Sequence, residues 1–93
     1  MTLERQLRIQ NEHGLHLRAA AMVAHTASDY ISDIQFCYGT KSADAKSTIG
    51  LMTLGAPSSE TVLVKASGDD AASALHAIER LLLCDDFMCL AAS

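Results

Sequence analysis

Gly14-Leu15-His16-Leu17-Arg18 sets an imidazole two residues ahead of a guanidinium, directly before an alanine-rich run. If that run is a helix, His16 stands at its start and Arg18 in its first turn. A helix start leaves about four backbone N–H groups unpaired and carries roughly +0.5 charge. Such an end attracts anions, and phosphate above all. Arg18 adds a fork of donors matched to phosphate oxygens. Gly14, without a Cβ, lets the backbone come close. A free imidazole is mostly neutral at pH 7. The neutral ring keeps one bare, nucleophilic nitrogen. A phosphoryl group captured there would rest against the N–H groups and Arg18. Phosphoryl transfer asks a protein for little beyond position and charge stabilisation. No nucleotide loop of the Walker type and no acidic metal-binding cluster accompanies the histidine. The chemistry is that of carrying a phosphoryl group rather than making one. On residue types alone, a plain surface histidine explains the same position.

Composition narrows the classes. The chain has 93 residues, 49% hydrophobic, with a formal net charge of -4. That length fits one modest core. Acidic balance argues against nucleic-acid binding, which needs clustered Lys and Arg. No apolar run approaches the roughly 18 residues of a membrane span, so no membrane role is expected. The N-terminus shows no apolar signal-peptide core, and a cytoplasmic location is expected. Cys37, Cys84 and Cys89 lack zinc spacing, so neither a metal nor a cofactor is expected.

The elements that must position the histidine follow from periodicity. Residues 3–10 alternate, with Leu3, Leu7 and Ile9 on one side and Arg5 interrupting the apolar row. A loop follows through Asn11, Glu12, His13 and Gly14. A helix spans Leu17–Ser28, since alanine is the best helix former and neither Gly nor Pro interrupts. Asp33–Tyr38 alternates, with Ile34, Phe36 and Tyr38 on one face. A weak strand covers 41–45, with Ala43 and Ala45 inward. Ser47 is placed to cap a short helix, Thr48–Leu54, which Gly55 closes and Pro57 bars from continuing. Residues 61–66 form a strand with Val62, Val64 and Ala66 on one face. Gly68, Asp69 and Asp70 supply a turn, a cap and negative charge for a last helix over 71–83. Asp85 and Asp86 end it, and an apolar tail covers 87–92. The order β-α-β-β-α-β-α makes an α+β open-faced sandwich, a sheet with one wet face and helices on the other. We place the domain at 1–84 and the tail at 85–93.

Two segments carry a family resemblance. Asn11 through Ala20 (NEHGLHLRAA) resembles the active-site motif of HPr, the histidine phosphocarrier of the bacterial phosphoenolpyruvate-dependent phosphotransferase system. Lys46 through Gly55 (KSTIGLMTLG) resembles the regulatory-serine segment of the same family. Similarity extends through Thr26 to Tyr30 and Ala66 to Gly68, over residues 1 to about 84 without large gaps.

The resemblance implies a four-stranded antiparallel sheet under three helices. It implies that His16 accepts a phosphoryl group on Nδ1 from phosphorylated enzyme I and passes it to EIIA proteins, with Arg18 steadying it. It implies that Ser47 is the target of an HPr kinase/phosphorylase, with a transcriptional regulator as a further partner. The family docks through its first two helices. Here that face comprises Leu17, Ala21, Ile49 and Met52, edged by Arg18 and Lys46, and suits an acidic partner. A monomer, acting as a stoichiometric carrier in sugar uptake rather than as an enzyme, is the expected form. A nitrogen-related or regulatory paralogue, or a binding module controlled through Ser47, are the alternatives. Two departures stand out. Ala19 occupies a position where the family usually has Pro, which removes a rigid φ and adds a backbone N–H. His13 stands where Ser or Asn is usual, either as a phosphate contact or as a loop residue.

Overall fold

The structure is a computed structural model that describes residues 2–10 and 14–82. Its elements are β1 (Thr2–Arg8), α1 (Leu17–Ser28), β2 (Asp33–Tyr38), β3 (Lys41–Asp44), α2 (Thr48–Leu54), β4 (Thr61–Ser67) and α3 (Ala71–Leu82). The four strands form one sheet in the order β1-β4-β2-β3, every neighbouring pair antiparallel. Expected order and class are both observed.

The sheet is amphipathic because side chains alternate between its faces. On β4, Val62, Val64 and Ala66 are buried, and Thr61 and Ser67 are exposed. On β2, Ile34 and Phe36 are buried while Asp33 and Gln35 face water. All three helices cover the apolar side. Small residues let α1 approach closely, for Ala19, Ala20, Val23, Ala24 and Ala27 are all buried. Leu75, Ile78 and Leu82 seat α3, as their spacing predicts. Among the described residues no helix is long and apolar enough to cross a membrane.

Several boundaries moved. β1 ends at Arg8 rather than at residue 10. Ile9 is nonetheless buried, its N–H donating to the Glu60 carbonyl (2.9 Å) and its carbonyl accepting from Ser59 (2.8 Å). This pairing is with a turn, in which Ser59 takes φ 73°. Arg5, which interrupts the inward row, reaches past the edge of the core to Glu79 on α3 at 3.0 Å. Both side chains keep water contact, so the pair is worth at most about 1 kcal/mol. Tyr38 is only half-buried, and its hydroxyl donates to Glu60 at 2.9 Å. That carboxylate holds the tyrosine above its ordinary range. Ala45 lies beyond β3 yet is buried, with its N–H on the Ile34 carbonyl at 2.9 Å.

Asp70 differs most from expectation. Its carboxylate leaves α3 and grips the loop after α1, accepting from Ile31 N–H at 2.9 Å, Ser32 N–H at 3.0 Å and the Ser32 hydroxyl. Those bonds, led by the Ser32 hydroxyl, hold the Asp70 carboxyl below its usual range. Gly68 makes the clasp possible, since a Cβ there would meet Ser32 Oγ at 2.5 Å. The expected α3 end at Leu83, the Asp85-Asp86 stop, the boundary near 84 and the tail lie outside the described residues.

Candidate functional site

His16 is the N-cap of α1, with extended backbone (φ -79°, ψ -179°), and its carbonyl accepts from Ala20 at 2.8 Å. Its side chain does what a capping oxygen usually does: Nδ1 accepts the Arg18 N–H at 3.2 Å. An accepting nitrogen carries no proton, so in the neutral ring the proton is on Nε2. The bare nitrogen therefore points into the positive end of a twelve-residue helix. The contact is long for a hydrogen bond, so giving it up costs little.

The preceding loop aims the ring. Leu15 is buried, and its N–H donates to the Ala56 carbonyl at 3.1 Å. Gly14 sits at φ 69°, and a Cβ there would lie 2.7 Å from that same oxygen and 3.0 Å from Pro57 Cα. Close approach was expected of Gly14 toward a ligand. The structure shows it toward the backbone that leaves α2.

The second motif is built alike. Ser47 caps α2, its Oγ accepting from Gly50 N–H at 3.0 Å. Gly55 closes the helix in left-handed conformation, as the sequence predicts. Asp44 braces the entry, its carbonyl taking the Ser47 N–H (3.0 Å) and its carboxylate the Lys46 N–H (2.9 Å). Lys46, expected at the rim, is half-buried with its ammonium on the Tyr30 carbonyl at 2.8 Å. It fastens the end of α1 to the start of α2.

These ties set the geometry of the face. The exit of α2 touches the entry of α1 through Ala56 and Leu15, and its start meets the end of α1 through Lys46 and Tyr30. The two helices therefore run antiparallel. His16 and Ser47 stand at opposite ends of the pair, not together. Between them Leu17 (63% exposed), Ile49 (76%) and Met52 (41%) present apolar surface, with Ala21 also exposed. Arg18 is exposed in the first turn. Ala19, at the position of the usual Pro, is wholly buried. His25 and His76 are exposed, as expected. His13 lies outside the described residues. Among the described residues no three His, Cys, Asp or Glu side chains gather as metal ligands.

Fold and site together are a small α+β open-faced sandwich with a histidine capping a helix start beside an apolar face. The family model described as PTS HPr component phosphorylation site matches residues 3–83. The chain belongs to the HPr family of phosphocarrier proteins. It is 42% identical over 76 residues to phosphocarrier protein NPr of Shewanella violacea, covering 82% of this chain and 84% of that protein. It is 33% identical over 79 residues to phosphocarrier protein HPr of Buchnera aphidicola, covering 85% and 93%. The crystal structure of HPr-C-His from Thermoanaerobacter tengcongensis superposes with a TM-score of 0.84 at 37% identity, covering 87% of this chain and 91% of that one.

Proposed function

We propose that this phosphocarrier takes its phosphoryl group on Nδ1 of His16 from phosphorylated enzyme I and hands it to EIIA components. The observation that carries the reading is the bare Nδ1 aimed into the α1 start by the Arg18 N–H. In the transfer, the Nδ1 lone pair forms the P–N bond. The bond to the donor breaks, its electron pair leaving with the donor, and the ring keeps its Nε2 proton. The incoming oxygens take over the Arg18 N–H that Nδ1 gives up, and the Arg18 side chain adds charge. Ala19 contributes one N–H more than a proline would. The partner rests on Leu17, Ala21, Ile49 and Met52.

Ser47 serves as the second phosphorylation site where a kinase acts on it. Phosphate on a helix start is tolerated by the dipole, so it would repel an acidic partner rather than melt α2. The carrier works as a monomer in the cytoplasm, as one domain over 1–84. Whether sugar permeases or a nitrogen-related branch receive the phosphate is a separate matter. The 42% identity to a protein named NPr favours the nitrogen-related reading.

Incubation with enzyme I and phosphoenolpyruvate, followed by mass analysis, tests the carrier. Acid-labile phosphate that disappears in His16→Ala is expected. No transfer from either a sugar-type or a nitrogen-type enzyme I would overturn it. The faster of the two donors identifies the branch.

A further inference from the structure

α1 and α2 each begin with a capping side chain, and the two caps satisfy different N–H groups. On α2 the Ser47 hydroxyl accepts the third helical N–H, that of Gly50, at 3.0 Å. On α1 the His16 ring accepts the second, that of Arg18, at 3.2 Å. The third N–H of α1 belongs to Ala19. The backbone ladder does not serve it, because the first such bond runs from the Ala20 N–H to the His16 carbonyl at 2.8 Å. Among the described residues nothing accepts the Ala19 N–H.

Burial makes this unusual. Ala19 has no exposed surface, so solvent does not reach the group either. Most helix starts leave their first N–H groups to water or to a cap. A buried N–H without an acceptor is rare, since it forfeits the hydrogen bond it had in the unfolded chain. The group also has a direction. Helical N–H groups point toward the start of their helix, which here is the His16 side.

A phosphoryl group on Nδ1 is suited to reach it. A cap atom pairs with the second or the third helical N–H, and Ser47 shows the third within reach of a cap in this fold. Phosphate on the ring carries its oxygens beyond Nδ1 toward the helix and brings three strong acceptors. One oxygen takes the Arg18 N–H and another takes that of Ala19. Charged acceptors make the stronger hydrogen bonds, and exclusion of water strengthens them further.

We propose that the Ala19 N–H is a phosphoryl-oxygen donor, idle until His16 is loaded, and that it holds the loaded carrier back from returning its phosphate. The inference rests on His16 being the phosphoryl acceptor. A proline at residue 19 has no N–H and would hold the group less firmly. The alanine thus sets how far transfer from the donor runs, because the contact exists only in the phosphorylated form.

Two measurements test this. In isotope-labelled full chain phosphorylated with enzyme I and phosphoenolpyruvate, the amide protons of Arg18 and Ala19 should both move downfield. That of Gly50, already paired with Ser47, should stay in place. An unmoved Ala19 signal in chain that carries phosphate on His16 overturns this proposal alone. In Ala19→Pro, the ratio of phosphorylated carrier to phosphorylated enzyme I at equilibrium should fall about fivefold, the worth of one hydrogen bond. An unchanged or higher ratio overturns it too. If His16 takes no phosphate from either type of enzyme I, the carrier reading fails, and this proposal fails with it.

Discussion

The two helix starts on the α1–α2 face have the same backbone plan and differ in the capping atom. At Ser47 a hydroxyl oxygen takes the Gly50 N–H at 3.0 Å, and Asp44 braces the residues before it. At His16 a ring nitrogen takes the Arg18 N–H at 3.2 Å, and the brace is a glycine at φ 69° against Ala56. Serine is the ordinary cap, and its contact is the shorter of the two. The histidine start has the longer cap contact and sets a ring nitrogen, the nucleophile of the proposed transfer, in the same electrostatic setting. Unpaired helix N–H groups can thus serve stability at one end of a face and chemistry at the other.

The comparison can be broken at its stronger claim first. His16→Ala should abolish phosphoryl uptake while costing only about 1 kcal/mol of stability in urea unfolding, the loss of one cap. Retained uptake would mean that the acceptor lies elsewhere. Gly14→Ala should cost about 2–3 kcal/mol, because a side chain at positive φ is strained and its Cβ meets the Ala56 oxygen. Phosphoryl uptake should fall with it, since the loop that aims His16 must shift. Unchanged urea midpoints would refute the brace.

Ser47 gives a finer contrast. Ser47→Ala should cost about 1 kcal/mol and leave uptake intact. Ser47→Asp should keep the cap yet slow uptake from enzyme I. Equal rates in wild type and Ser47→Asp would remove the regulatory half of the comparison. Ala19→Pro should change least, because proline is tolerated in a first helical turn. A rise in phosphorylation rate by orders of magnitude would show that the alanine has degraded the site.

The Asp70 clasp supplies a pH test away from both caps. Its carboxyl is held below the ordinary value, so the folded state binds that proton less readily than the unfolded chain. The clasp's contribution is therefore complete above the ordinary carboxylate value. It is lost as pH falls through the lowered one. Urea midpoints should drop on that acid limb in wild type and drop less in Asp70→Asn. Parallel limbs would show that the clasp is not coupled to folding.

Much of this was legible in one dimension. Strand alternation and the alanine run placed β2, β4 and α1, because burial on one face imposes periods of 2 and 3.6 on any sequence. Ser47 and Gly55 announced α2 because caps act within a few residues. His16 and Arg18 were readable as a phosphate-suited pair for the same local reason. The partners of Gly14, Asp70 and Lys46 were not. They lie 42, 38 and 16 residues away at Ala56, Ser32 and Tyr30, and local propensity carries no information about a neighbour brought up by folding. Ile9 misled in the same way: its parity continues the strand, but the turn at Ser59 bends the pairing.

Sequence by itself determined which residues are cap and core, and which side chain is proposed as the nucleophile, since those depend on side-chain chemistry and short-range periodicity. Tertiary structure alone decided that the loop aiming His16 is braced against Ala56, through Leu15 and Gly14. It also decided that the two capped starts face away from each other across an apolar surface, and that Lys46 spends its charge on a carbonyl. Each of those outcomes depends on where an antiparallel partner arrives, which is a property of the packed chain and of no single segment in it.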